Sequence, residues 1–273
     1  MRCWKPFACP LALAVLVALL SGQVTLQDSC PMSKPRTKAA SETYETRKIE
    51  GWTVLVNTEF LRRRSVLAER TLTLLRHQLY QIGRRLPRAA VGKLRKVRIW
   101  VEENEPNTPC MAYHPDVAWL KEHGVNPDKQ RCVELANARN FLDWTLEQPW
   151  MVLHELSHAY HHQFLRDGFD NRLVKAAYDR AMKSKIYAKV LRISGQEEKA
   201  YAASNPMEYF AEATEAFFGT NDFYPFVRSE LRRHDPGAFD LLVEQWGVDE
   251  AKAVRKTADR PATRARSTTE PRA

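Results

Sequence analysis

The sequence predicts an α+β domain, mostly helical with a small mixed sheet, on three observations. Apolar residues recur at helical spacing from Ser65 to Leu86, where Leu67, Leu72, Leu75, Leu79 and Ile82 share one stripe. Two further apolar segments begin as helices do, with Pro149 after Gln148 and Pro206 after Asn205, because a proline in the first helical position gives up an N–H that has no partner there. Short runs of strand composition, Trp52 to Val56, Lys96 to Val101 and Cys132 to Asn137, supply a small sheet.

Taken in order, residues 1–22 read as a secretory signal peptide. They hold Arg2 and Lys5, then an apolar run from Leu11 to Leu20, then Ser21-Gly22. That run is too short to cross a bilayer core of about 30 Å. No other stretch is apolar enough to cross, so the expectation is an exported protein, secreted or periplasmic, with no membrane span once the signal is removed. Residues 23–43, rich in Ser, Pro and Lys, read as a linker that carries Cys30. Residues 44–248 have the size of one domain with its own core. Residues 249–273, dominated by Thr, Ala, Pro and Arg without periodicity, read as a disordered basic tail. The formal charge of +9 is partly a property of that tail, since residues 255–273 hold six Lys or Arg against two acids.

Between the strands, Glu102 to Arg131 reads as a long loop in which His114 is expected to be solvated. Cys110 and Cys132 share this polar segment, and export permits disulfides, so they are the expected pair. The strand from Cys132 to Asn137 is open to two readings: an edge that holds an extended peptide by β-augmentation, or an ordinary sheet strand. Asn171 to Leu191 reads as a basic helix that is open to two readings: a solvated face, or one that favours an acidic substrate or an anionic surface. Ser229 to Trp246 reads as a closing helix broken at Asp235-Pro236-Gly237.

The segment that carries chemistry is Gln148 to His162, centred on His154-Glu155-Leu156-Ser157-His158. An α-helix turns once per 3.6 residues, so His154 and His158 stand one above the other and can aim two imidazole nitrogens at one point. In the HExxH arrangement two such histidines hold Zn²⁺, and the glutamate, here Glu155, takes a proton from a water whose pKa the ion has lowered to about 7. Trp150, Met151, Val152, Leu153 and Leu156 make the segment too apolar for a surface helix, and buried histidines need a partner.

A zinc site needs a third protein ligand. An HExxHxxGxxH motif would need Gly at position 161 and His at 164, which hold His161 and Phe164. The alternative is a glutamate from a second helix, and Asn205 to Gly219 offers Glu208, Glu212 and Glu215. Asn205 followed by Glu208 also fits a capping box, which needs no metal. Glu208 is assigned to zinc. Glu212, one turn on, is assigned to the outer carboxylate that accepts the other ring N–H of a ligating histidine. Glu215 is expected to be structural.

HExxH followed by Tyr201 and then Glu208-Tyr209-Phe210-Ala211-Glu212-Ala213 resembles the catalytic domain of anthrax lethal factor and its relatives, zinc metallopeptidases of the gluzincin type. The resemblance covers residues 150 to 218. It implies a zincin-like fold, one Zn²⁺ held by His154, His158 and Glu208, a peptide or protein substrate, and a transition-state donor at Tyr201. Two other classes compete. An exported basic protein binding a polyanion would need cations interleaved with exposed aromatics in a recognisable module, and none stands in the sequence, so no nucleic-acid partner is expected. A zinc-binding module without hydrolysis would have no need of Glu155.

Overall fold

The computed structural model describes residues 44–249; the signal-peptide and linker readings, Cys30 and the tail from residue 250 lie outside them. The fold is α+β, mostly helical with a small mixed sheet. Five strands, β1 (Tyr44–Ile49), β2 (Trp52–Asn57), β3 (Ile99–Val101), β4 (Met111–Tyr113) and β5 (Val133–Leu135), lie in the order β1-β2-β3-β5-β4. β1 and β2 are antiparallel, joined by Glu50 and Gly51, both with positive φ, which is the backbone of the tightest hairpin turn. β2, β3 and β5 run parallel, and β4 returns antiparallel to β5. Trp52, Val54 and Val56 alternate into the core, as the sequence pattern requires.

Parallel strands need a crossover, and the β2-to-β3 connection is helical: α1 (Thr58–Arg63), α2 (Ser65–Arg85) and α3 (Arg88–Leu94). α2 buries Leu72, Leu75, Leu79 and Ile82 of the stripe read from the sequence, with Ala68 buried beside them and Leu67 only partly buried. α4 (Val117–Glu122) and α5 (Ala138–Trp144) flank β5. The second half of the domain is α6 (Met151–Phe164), α7 (Arg172–Ser184), the two-residue strands β6 (Val190–Leu191) and β7 (Glu197–Glu198), α8 (Pro206–Phe218), α9 (Arg228–His234) and α10 (Pro236–Trp246). The break between α9 and α10 falls at Asp235-Pro236, as expected, because Asp235 ends one helix and caps the next through its side chain to Ala238 N. α7 stops short of the expected Leu191. Lys185 adopts φ 59° and the chain leaves for β6.

The stretch from 96 to 137 departs most from expectation. β3 is confined to Ile99–Val101, all three buried. The strand at 133–135 is interior, between β3 and β4, so the edge is β4, inside what reads as loop. Cys110 and Cys132 are not joined in a disulfide. The pairing explains it: Ala136 N donates to Cys110 O and His114 N to Cys132 O, so the two cysteines sit at opposite ends of the β4–β5 ladder. Four residues of strand separate them, about 13 Å, and a disulfide spans Cα atoms no more than about 6.8 Å apart. Cys110 Sγ instead rests 3.2 Å from Met151 Sδ.

His114 is buried, not solvated, and its Nε2 pairs with Glu134 Oε2 at 2.7 Å. It belongs to a charged cluster inside the fold. Lys129, fully buried, donates to Glu134 Oε1 and to Glu102 Oε1, which also accepts from the Tyr44 hydroxyl, while Asn57 Nδ2 donates to Glu102 Oε2. These bonds tie the 127–131 turn to both β1 and β5. Burial of Lys129 depresses its pKa, but the two carboxylates outweigh that and hold it above the ordinary lysine range.

Candidate metal centre

α6 and α8 pack along their lengths, and each is fixed at its start. Gln78 Oε1, from α2, accepts from Val152 N at the first turn of α6. Asn205 Oδ1 accepts from Met207 N and Glu208 N at the first turn of α8, and Pro206 fills the first helical position. The far end of α8 is registered on α6 by Gly219, where an added Cβ would stand 2.3 Å from the Trp150 ring. Only glycine fits there.

This crossing turns His154 and His158 toward Glu208. Glu208 Oε2 lies 3.1 Å from His154 Nε2 and 3.3 Å from His158 Nε2. A tetrahedral zinc with bonds of about 2.0–2.1 Å sets its ligand atoms about 3.3–3.4 Å apart, so the donors fit the ion in kind and in spacing. Glu208 does not reach back to form a capping box, and its carboxylate belongs to the histidines. Burial raises its pKa, and the His158 and His154 imidazoles outweigh burial and hold it at about 2.

The carboxylate that accepts from the other nitrogen of His154 is Glu215, with Oε1 2.6 Å from Nδ1. Glu212, expected in that place, stands at 3.6 Å, beyond hydrogen-bond length. Seven residues return a helix to within about 20° of its starting direction, so Glu215 looks the same way as Glu208 from two turns further on. That i+7 relation is the signal that identifies Glu215 in the sequence. His154, Glu212 and Glu215 also bring ligand atoms within 4.8 Å of one another, but all three are buried, whereas the His154, His158 and Glu208 group is partly open. Glu212 is pushed well above the usual carboxylate range by burial, then by Asp222 and Glu215. Asp222, raised to about 7 by burial and Glu215, is drawn back by Arg192, whose Nε lies 3.7 Å from Asp222 Oδ2.

Glu155 lies on the β4 side of α6. Its Oε2 accepts from Tyr113 N at 2.8 Å, a contact that no sequence signal announces. The hydrogen bonds that point Cys110 and His114 at β5 turn the main-chain groups of Met111 and Tyr113 to the open side of the sheet, and Glu155 meets one of them there. Burial raises the Glu155 pKa, with His158 and His154 pulling it partly back. The Tyr113 hydroxyl is 2.8 Å from His162 Nδ1 and accepts from Gln163 Nε2 at 3.0 Å, so β4 is bound to the last turn of α6 as well.

Tyr201 begins a short 3₁₀ turn, Tyr201–Ala203, that folds back over the start of α8. Its hydroxyl hydrogen-bonds the Glu208 side chain. Burial, and then the Glu208, Glu212 and Glu155 carboxylates, raise its pKa, so it remains a protonated donor. The structure thus brings together His154, Glu155, His158, Tyr201 and Glu208, sets Glu212 one step out, and leaves Cys110 and Cys132 apart. Among the described residues no helix is long and apolar enough to cross a membrane. No protein-family model, no curated protein and no solved structure matches this chain.

Proposed function

We propose that the chain is a zinc-dependent endopeptidase of the gluzincin type with a zincin-like domain, holding one Zn²⁺ through His154, His158 and Glu208. The observation that carries this reading is the convergence of three ligand atoms, at 3.1 and 3.3 Å from Glu208 Oε2, beside a buried Glu155 that coordination does not use. Zinc, when bound, polarises the scissile carbonyl and lowers the pKa of water.

The chain's own residues do the rest. Glu155 takes the proton of the attacking water on its carboxylate and delivers it to the leaving amine. Tyr201 directs a phenol O–H at the oxygen on which negative charge grows. β4, as the open edge of the sheet, holds an extended peptide by main-chain hydrogen bonds beside Glu155. Export through the leader at 1–22 belongs to the same proposal.

The test is zinc content and peptide-library cleavage measured on one preparation, with and without a chelator. Near-stoichiometric zinc with chelator-sensitive cleavage supports the reading. Stoichiometric zinc with no cleavage of any library member removes the peptidase and leaves a zinc module, and failure to hold zinc removes the whole proposal.

A further inference from the structure

The positive charge of this chain is concentrated in one stretch of the fold. Residues 62–98 hold twelve Lys or Arg and one acid, Glu69, a net of 12 − 1 = +11 against +9 for the whole chain. Ten of the twelve are arginines. They occupy the end of α1, the outer face of α2, α3 and the approach to β3. All are exposed except Lys93, which is half-buried. Arg62 and Arg63 reach Glu59, and Arg64 reaches Glu103. For the other nine, no carboxylate lies within 4 Å among the described residues.

The outer stripe of α2 has an order of its own. Val66, Arg70, Thr73, His77, Tyr80 and Arg84 follow one another at four- and three-residue steps, one above the next, over about 27 Å of helix. Val66 is 72% exposed and Tyr80 is 49% exposed, and the Arg84 guanidinium lies over the Tyr80 ring at 5.5 Å. Two arginines and two exposed apolar side chains share this convex row, with Thr73 and His77 between them.

We propose that this face docks on the surface of a bilayer that contains anionic phospholipid. A convex row offers its charges to a plane, whereas a nucleic acid is gripped by an element that enters its groove or by walls around a strand. Arginine matches phosphate with two parallel N–H donors and is more weakly hydrated than lysine, which favours phosphate headgroups. Val66 and Tyr80 stand where side chains would enter the headgroup layer, as on helices that lie in the interface. Docking leaves the metal centre free. α6 meets α2 and α3 through Val152, bonded to Gln78, and Tyr160, near Lys93 Nζ, and these lie about 160° and 240° around α6 from His154. The histidines face the opposite way, toward α8. This inference does not depend on the peptidase reading.

The test is sedimentation of the full chain with vesicles of phosphatidylcholine alone and with about 30% phosphatidylglycerol, at rising salt. Binding should require phosphatidylglycerol and weaken as salt screens it. Arg70→Gln/Arg76→Gln/Arg84→Gln should lower partitioning about a hundredfold, and Arg70→Gln or Arg84→Gln alone about fivefold, should the triple variant not fold. Lys175→Gln/Lys183→Gln/Lys185→Gln, on α7 and at its C-terminal cap, removes the same charge elsewhere and should change partitioning little. Binding that ignores lipid charge, or that falls equally in both triple variants, overturns the proposal. So does binding to a DNA duplex that depends on Arg70, Arg76 and Arg84 when vesicle binding is absent.

Discussion

Glu215 Oε1 lies 2.6 Å from Nδ1 of His154, and Glu208 Oε2 lies 3.1 Å from Nε2 of the same ring. With the proposed zinc bound, one helix would supply both a ligand and the carboxylate that fixes the tautomer of another ligand. His154→Ala, His158→Ala and Glu208→Ala should each abolish zinc binding by elemental analysis, and Glu155→Gln should retain the metal without hydrolysis. Glu215→Gln should weaken zinc about 10–100-fold in a chelator competition, more than Glu212→Gln does. Stoichiometric zinc in Glu208→Ala would sink the ligand assignment.

Tyr201→Phe removes a hydroxyl and nothing else. Charge on the substrate oxygen is larger in the transition state than in the ground state, so the donor acts mainly on kcat. The expected result is unchanged zinc content and a kcat lowered about a hundredfold with little change in KM. An unaltered kcat would clear Tyr201 of a catalytic part.

His161, buried between Phe169 and Phe210, has no hydrogen-bond partner on either ring nitrogen among the described residues. Burial, with the neighbouring His158 and His162, holds its pKa at about 3. The unfolded chain binds this proton near pH 6.5 and the folded chain does not, so stability is intact above pH 6.5 and falls as pH drops toward 3. Urea unfolding at pH 7.5 and pH 4.5 should show His161→Phe losing about 2–3 kcal/mol less than the parent protein, at about 1.4 kcal/mol per pH unit. Equal losses would mean that the imidazole gains a proton inside the fold.

Lys129→Met would leave Glu102 and Glu134 buried without their cation. Breaking such a cluster by removing one partner typically costs about 3–5 kcal/mol. Chemical denaturation should show a loss of that order, partly restored by adding Glu102→Gln and Glu134→Gln. A loss below about 1 kcal/mol would mean that water reaches the carboxylates.

Much of the centre was legible because its signals are local. His154, Glu155 and His158 follow from i, i+4 geometry on an apolar helix, Glu208 from the glutamate-bearing second helix that Asn205 and Pro206 open, and α2 from most of its stripe. The misreadings share a different cause. β4 has three residues, too few for a period, and its place at the edge is set by pairing with β5 twenty residues on. Lys129 and His114 are polar residues in a loop-like stretch, and only the carboxylates brought to them by β5 and the end of β3 make their burial tolerable. Glu215 was visible in principle, since seven residues complete two turns, but the nearer Glu212 drew the assignment.

The short strand β4 also bears on how readily this fold would pair with copies of itself. An open strand edge is a template for any passing chain, and proteins that keep one tend to stick to copies of themselves. Here the edge is three residues long, and the outward amide of Tyr113 is already engaged by Glu155. A stray strand would have to displace a buried carboxylate to gain that hydrogen bond, so the docking ledge is barred to casual partners by the same side chain that would act on an authentic one.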